Sequence, residues 1–398
     1  MSTGRTALEG IRVLDVTQVM AGPFCAMQLC DMGAEVIKVE PPGGDSTRRM
    51  AGASGAESAG FNALNRGKRG IVLDLATPRG HDVMRRLVAT TDILVENYRP
   101  GVMRRFGFDY ATLALDHPAL IYASISGYGQ TGPDSSKGGF DLIAQGVSGL
   151  MSVTGEPGRP PVKVGVPLTD LGAALFATAA ILAALHYRHR TGLGQHIDTS
   201  LVEAGVALSV WEATEYFGAG VPPEPLGSAH RMLAPYQAIR CADGYITLAA
   251  GTERLFERLC TVLGHPEWTT DPAFVNATLR VRNRVTLIER IEAITTQEPR
   301  AHWLARFDDA KVPCGPINDY AQTFADPQVR ERGMIVDVEH PTLGPLRTLG
   351  SPIKMSATPP VTGRRAPLLG EHTRDVLREV GYGESEIREV MADAGLAV

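Results

Sequence analysis

The sequence predicts an α/β fold with a parallel sheet, followed by a second, smaller domain. Three observations carry this. Short apolar strands alternate with helical stretches over the first half of the chain, the pattern of parallel βαβ units. A Gly/Pro-rich break at Gly218–Pro225 (GAGVPPEP) precedes a change of texture, as at a domain boundary. At 398 residues the chain is also too long for one simple core.

Ile11–Val16 is a short apolar strand. Ala21-Gly22-Pro23 is a turn, with Pro23 suited to the first position of a helix. Phe24–Met32 is that helix, and Gly33 its C-cap. Glu35–Glu40 (EVIKVE) is the next strand, giving a compact βαβ unit with a right-handed crossover. Gly70–Leu75 is a strand, Pro78–Thr90 a helix, and Ile93–Glu96 and Leu120–Ser126 two more strands. A long apolar run, Leu171–Leu185, reads as a buried helix. A strand near His196–Thr199 and a helix Val202–Tyr216 follow. Tyr236–Ala250 reads as a hairpin turning at Ala242-Asp243-Gly244, because Asp-Gly supports the positive φ of tight hairpin turns. Two or three helices reach about Phe324. Met334–Met355 reads as short strands, and Leu369–Ala394 as helix.

Composition excludes several classes. The net charge of −5 and scattered basic residues argue against a nucleic-acid partner. Five cysteines without C-x-x-C suggest neither a disulfide framework nor a zinc site, and a reducing cytoplasm is the expected compartment. No H-E-x-x-H occurs, and no metal is expected. The polar N-terminus, Met1–Gly10, runs into a strand without a signal peptide. The apolar run Leu171–Leu185 is about fifteen residues, short of the roughly twenty of a membrane span.

Three features bear on function. Gly127-Tyr128-Gly129-Gln130-Thr131-Gly132 matches G-x-G-x-x-G after a strand. A dinucleotide fingerprint must open directly into a helix, whereas loop residues Pro133–Gly139 follow here. The segment reads instead as a site loop using glycine freedom to approach a ligand or to move. Second, Lys38, Asn97, Tyr98, Arg99 and Arg105 stand near the carboxyl edge of the sheet, where open parallel sheets bind ligands. Lys68 and Arg69 precede the third strand. Such cations suit a phosphorylated ligand, and Tyr98 could pack on an adenine, but spacing alone favours a solvated rim. Third, Asp170 ends the stretch Val164–Asp170 (VGVPLTD), directly before the apolar run. A carboxylate there meets unpaired helix N–H groups and the positive dipole end. That setting keeps it ionised and fit to act as a nucleophile. An ordinary N-cap needs the same position, and the segment by itself favours the cap.

The wider pattern shifts that balance. The segments LDVTQVMAGP (14–23), GAEVIKVEPPGGD (33–45), NRGKRGIVLDL (65–75), VENYRPG (95–101) and SGYGQTGP (126–133) occur in order. They are followed by PLTDLGAALFATAAILAAL (167–185), RTGLGQHID (190–198), VPCGPIND (312–319) and PLLGEHT (367–373). In this order and spacing the chain resembles, over nearly its whole length, the class III coenzyme A transferases, the family of formyl-CoA transferase and carnitine CoA-transferase.

The resemblance implies a large Rossmann-like domain made from both chain ends (1–220 and 330–398), with a small α+β domain at 221–329. It implies an interlocked homodimer, with the acyl pocket between the large domain of one subunit and the small domain of its partner. It implies that Asp170 attacks the acyl carbon of an acyl-CoA, and that no metal or resident cofactor is needed. By position, Val19, Lys68, Asn97, Tyr98, Arg105 and Phe106 line the CoA site, and Gln18 and Met20 face the acyl group. Formyl-CoA transferases have histidine and glutamine at these last two positions, and tyrosine and glutamate where Phe140 and Asp141 stand here. Oxalate is therefore not the expected acceptor. The shielding glycine loop of the family falls near Ala249–Thr252, which holds one glycine. The α-methylacyl-CoA racemases of the same fold need a histidine at Phe140, and phenylalanine relays no proton. GSAHRMLAPYQAI (227–239) and FADPQVRERGMIVDVEHPTLG (324–344) are similar to transferases acting on dicarboxylates such as succinate and glutarate. His230 and Arg231 are candidates to hold a distal carboxylate, or else parts of a surface loop. A racemase-like enzyme and a non-catalytic CoA-binding protein are the alternatives to a transferase.

Overall fold

The computed structural model describes residues 6–50 and 58–396; Met1–Arg5, the start of the polar N-terminus, lie outside them. The chain forms two compact units. The first holds Met1–Leu150, Lys163–Phe217 and Pro327–Val398, and the second Met151–Val162 and Gly218–Asp326. Residues 151–162, which the sequence reading kept in the large domain, group with the second unit. There the Gly227 N–H donates to the Gly155 carbonyl at 2.8 Å.

The first unit is built on six parallel strands: β1 Arg12–Asp15, β2 Glu35–Glu40, β3 Arg69–Val72, β4 Ile93–Glu96, β5 Ile121–Ser126 and β6 His196–Ser200. Their order is β3-β2-β1-β4-β5-β6, the doubly wound arrangement with a switch point between β1 and β4. The helix Ala21–Asp31 links β1 to β2, and Gly33 follows it with a φ of 102°. On one face Val13, Val36, Val95 and Ile125 pack against Ala173, Ala174, Ala177 and Ile181 of the helix Leu168–Thr191. On the other face Leu14, Ile37, Ile71 and Leu94 meet Val83 and Leu87 of the helix Pro78–Val88. Val376, Leu377, Ile387 and Val390, from the end of the chain, complete that layer. Both chain ends thus build one domain.

Three elements differ from expectation. The central helix spans 24 residues, not fifteen. Its length alone would reach across a bilayer, but its alanine row is buried on the sheet. The expected helix Val202–Tyr216 is two, Leu201–Leu208 and Val210–Ala219. The Ser209 hydroxyl between them donates back to the Gly205 carbonyl at 3.0 Å, a bond that competes with regular helix. The last helical stretch also divides, into Thr373–Glu379 and Glu384–Asp393. Gly381 between them takes a φ of 89°, which no α-helix accommodates.

The second unit contains an antiparallel sheet of β7 Tyr236–Cys241, β8 Gly244–Ala249 and β9 Cys314–Pro316. The hairpin pairs Cys241 with Gly244 across Ala242-Asp243, as expected. Ile239, Ile246 and Leu248 pack against Phe256, Leu287, Ile291 and Phe307. In the first unit β10 Ile335–His340 and β11 Gly344–Leu349 form a separate hairpin.

Candidate active site

A cavity of about 270 Å³ lies at the switch point of the first unit's sheet, lined by Gln18, Met20, Asn97, Tyr98, Phe140 and Asp170 among others. The loop after β1, the loop after β4 and the head of the helix Leu168–Thr191 therefore meet at one place. Residues 79 positions apart, Gln18 and Asn97, clasp each other: the Gln18 N–H donates to Asn97 Oδ1 at 2.9 Å and Asn97 Nδ2 donates to the Gln18 carbonyl at 2.7 Å.

Asp170 is not the helix cap. The N-cap is Pro167, and Asp170 is the third helical residue. Nor is its carboxyl held low. Burial, reinforced by the nearby Asp141 carboxylate, raises its pKa from 3.8 to about 7. Loss of hydration and a like charge thus act against the stabilisation expected of the helix end. Asp141 itself starts the helix Asp141–Val147, whose N-cap is Phe140. Its Oδ1 accepts the Thr169 N–H at 3.0 Å and the Thr169 hydroxyl at 2.8 Å. Phe140 is exposed at 71% and lines the cavity with an apolar ring.

The loop 17–20 is held rigidly. Thr17 bonds Asp15 through its N–H and hydroxyl, and Lys38 Nζ donates to the Thr17 carbonyl at 2.9 Å. Val19 has a φ of 70°, an outlier for a β-branched residue. Its N–H reaches Asp45 Oδ2 at 3.3 Å, and Asp45 pairs with Lys38 at 3.2 Å. Such strain persists only where surroundings over-determine it, and it clusters at functional sites. Burial raises the Tyr98 phenol pKa, opposed by a hydrogen bond from the Gln18 side chain.

The other expected site residues divide. Lys68 is sequestered, not presented to a ligand. Its ammonium donates to Asp15 Oδ2 at 2.8 Å, and to the Pro23 carbonyl and Asn65 Oδ1, each at 2.9 Å. An ammonium has three donors, and all are used. Arg105 ends the short helix Val102–Arg105 with an exposed side chain. Phe106 packs partly buried on the sheet's second face. His230 and Arg231 belong to the second unit. The His230 ring lies 5.0 Å from that of Tyr236, and Arg231 Nη2 donates to the Glu224 carbonyl at 2.7 Å.

The glycine segments also resolve. No helix follows Gly127–Gly132 until Asp141. Gly127 and Gly139 touch backbone to backbone: a Cβ on Gly127 would stand 2.6 Å from the Gly139 Cα. They form the neck of a loop at the cavity. Ala249–Thr252 leaves the end of β8 and leads into the helix Glu253–Leu263. The Ala250 N–H donates to the Pro235 carbonyl at 2.8 Å, and buried Arg280 donates to the Gly251 carbonyl at 2.8 Å.

Sequence reasoning missed Asp15, Asp45 and Gln145. The first two had a signal: lysines in otherwise apolar surroundings, at Lys38 and Lys68, require buried acids. Gln145 had none.

A doubly wound sheet with a cavity at its switch point, lined by a half-buried carboxyl, has the ligand-binding architecture of an α/β enzyme. The profile of CoA-transferase family III matches residues 8–373, and the chain belongs to that family. It is 41% identical over 387 residues to a succinyl-CoA:glutarate CoA-transferase of Mus musculus, covering 96% of this chain and 89% of that one. It is 40% identical over 395 residues to a succinyl-CoA:mesaconate CoA-transferase of Haloarcula hispanica, covering 95% and 97%. The crystal structure of a CAIB/BAIF family protein from Brucella suis matches with a TM-score of 0.84 at 39% identity, covering 94% of this chain and 99% of that one.

Proposed function

We propose that this protein transfers CoA from succinyl-CoA or a related dicarboxylyl-CoA to an acceptor carboxylic acid, with Asp170 as the covalent nucleophile. The observation that carries the reading is the Asp170 carboxyl opening into the switch-point cavity beside the clasped Gln18–Met20 loop. The relatives' named substrates supply the dicarboxylate class.

The steps balance without another reactant. The ionised Asp170 attacks the thioester carbonyl; a C–O bond forms, the C–S bond breaks, and CoA leaves as thiolate. The thiolate attacks the Asp170 side-chain carbonyl of this mixed anhydride and expels the donor acid as its carboxylate. The acceptor carboxylate attacks the resulting aspartyl-CoA thioester and releases thiolate again. Thiolate then attacks the acceptor's acyl carbon, and Asp170 leaves as carboxylate. Each step exchanges one acyl bond for another, so a covalent relay replaces one difficult exchange by easier ones. Asn97, Tyr98, Arg105, Phe106 and Val19 would flank the CoA, with Arg105 on a phosphate. Gln18, Met20 and Phe140 would face the acyl chain. His230 and Arg231 are proposed for the distal carboxylate.

Exposed Leu142, Val147, Val206, Trp211 and Phe217 support cover by a second copy of the chain. Five free cysteines support a cytoplasmic setting. Incubation with succinyl-CoA, then hydroxylamine and mass spectrometry, should place the modification on Asp170 and lose it in Asp170→Ala. Label elsewhere, or turnover of monocarboxylyl-CoA donors alone, would refute the respective half of the proposal.

A further inference from the structure

Gln145 lies fully buried in the helix Asp141–Val147. Its amide oxygen accepts the Val164 N–H at 2.8 Å. Its amide nitrogen donates to Asp141 Oδ2 at 2.8 Å and to the Val166 carbonyl at 3.4 Å. Asp141 spends its other oxygen on the N–H and hydroxyl of Thr169, the neighbour of Asp170. The nucleophile's helix has no side-chain cap of its own, because its N-cap is Pro167. Asp141, from another helix, takes the orphan N–H that a cap would take.

Gln145 thus holds both ends of one device. It fixes the carboxylate that caps the helix, and it ties down residues 164–166, which lead into that helix. An amide fits both tasks, since it donates at one atom and accepts at the other, side by side on one planar group. Glutamate would set a second carboxylate against Asp141, and methionine would satisfy neither partner.

We infer that Gln145 is a positioning residue for the nucleophile: through Asp141 and segment 164–169 it sets where the Asp170 carboxyl stands relative to the acyl carbon. The inference rests on Asp170 being the nucleophile. Covalent attack tolerates little misplacement, and a shift of about 1 Å costs about 100-fold in rate.

The test uses the full-length protein with succinyl-CoA and a dicarboxylate acceptor. Gln145→Met should lower kcat roughly 10- to 100-fold while KM for succinyl-CoA stays within about two-fold. Asp141→Asn should also lower kcat. Because the two residues act as one device, Gln145→Met/Asp141→Asn should be no worse than about two-fold below the weaker single variant. A purely structural role would instead lower active-enzyme concentration, and the losses would multiply. Multiplying losses, or a Gln145→Met kcat within two-fold of wild type, overturn the inference. If Gln145→Met does not fold, Gln145→Glu keeps volume and the Val164 acceptor, and the same kcat loss is required of it. Wild-type protein forming no adduct on Asp170 would sink the nucleophile reading and this inference with it. Adduct in the wild type with an unimpaired Gln145 variant would sink this inference alone.

Discussion

Replacing Asp170 by asparagine should stabilise the protein at neutral and alkaline pH. Burial and Asp141 raise the carboxyl from 3.8 to about 7 in the fold. An unfolded chain restores the ordinary value. Between about pH 4 and 7 the native state therefore binds more protons than the unfolded state, and stability falls as pH rises. The loss is complete above pH 7 and absent below pH 4. About three units at 1.36 kcal/mol each give a penalty on the order of 4 kcal/mol for ionising Asp170 in the fold. Asp170→Asn removes the titration and keeps the shape. Urea unfolding of both proteins at pH 4.5 and 8 should show the variant's advantage growing by about 3 kcal/mol between them, since about 1 kcal/mol of the loss is already present at pH 4.5. The same titration governs turnover: kcat/KM should rise about tenfold per pH unit below 7 and level above it, since that ratio reports the free enzyme. A stability difference that does not move with pH, or a kcat/KM flat down to pH 5, would refute the argument.

Three further outcomes follow from the packing. Lys68→Met leaves Asp15 buried without its partner, so it should destabilise the fold by about 3–5 kcal/mol, measured by chemical unfolding, with no separate rise in KM for acyl-CoA once folded protein is counted. Gly127→Ala drives a Cβ to 2.6 Å of the Gly139 Cα; unfolding should show a cost of about 1–3 kcal/mol, and steady-state assays a lower kcat as the loop neck spreads. Val19→Gly relieves the left-handed conformation of a β-branched residue, worth about 1–2 kcal/mol, but frees a loop at the cavity; melting temperature should hold or rise while kcat falls.

Much of the framework was legible because its signals are local. Pro23 and Gly33 bracket the first helix and apolar runs mark the strands, whereas the placement of β1 beside β4 came only from the structure. The site was legible as a set of segments, not as an electrostatic environment. Asp170 looked like a cap because sequence cannot show that Asp141, 28 positions before Thr169, caps the helix from outside. Lys68 looked like part of a cationic rim because its partner Asp15 lies 53 positions away. Gln145 looked like any polar residue on a short helix. Each misreading concerns a buried polar group whose partner is remote in sequence, and burial decides whether a charge is an asset or a cost.

The raised pKa of Asp170 follows from what the proposed cycle asks of it. The carboxylate must attack, become an acyl carrier twice, and leave once. An exposed aspartate would be ionised at neutral pH but weakly basic and fully hydrated. A buried one with a pKa of about 7 is ionised in about half the molecules at that pH, a loss of only about two-fold. In return, its anion is more basic and needs little dehydration before attack, and a group whose pKa lies near the working pH maximises the product of ionised fraction and reactivity. Asp141 serves both ends of this balance. It accepts the Thr169 N–H at the head of the helix that carries Asp170, and its charge helps raise the Asp170 pKa. The clasped, strained loop 17–20 lines the same cavity as Asp170.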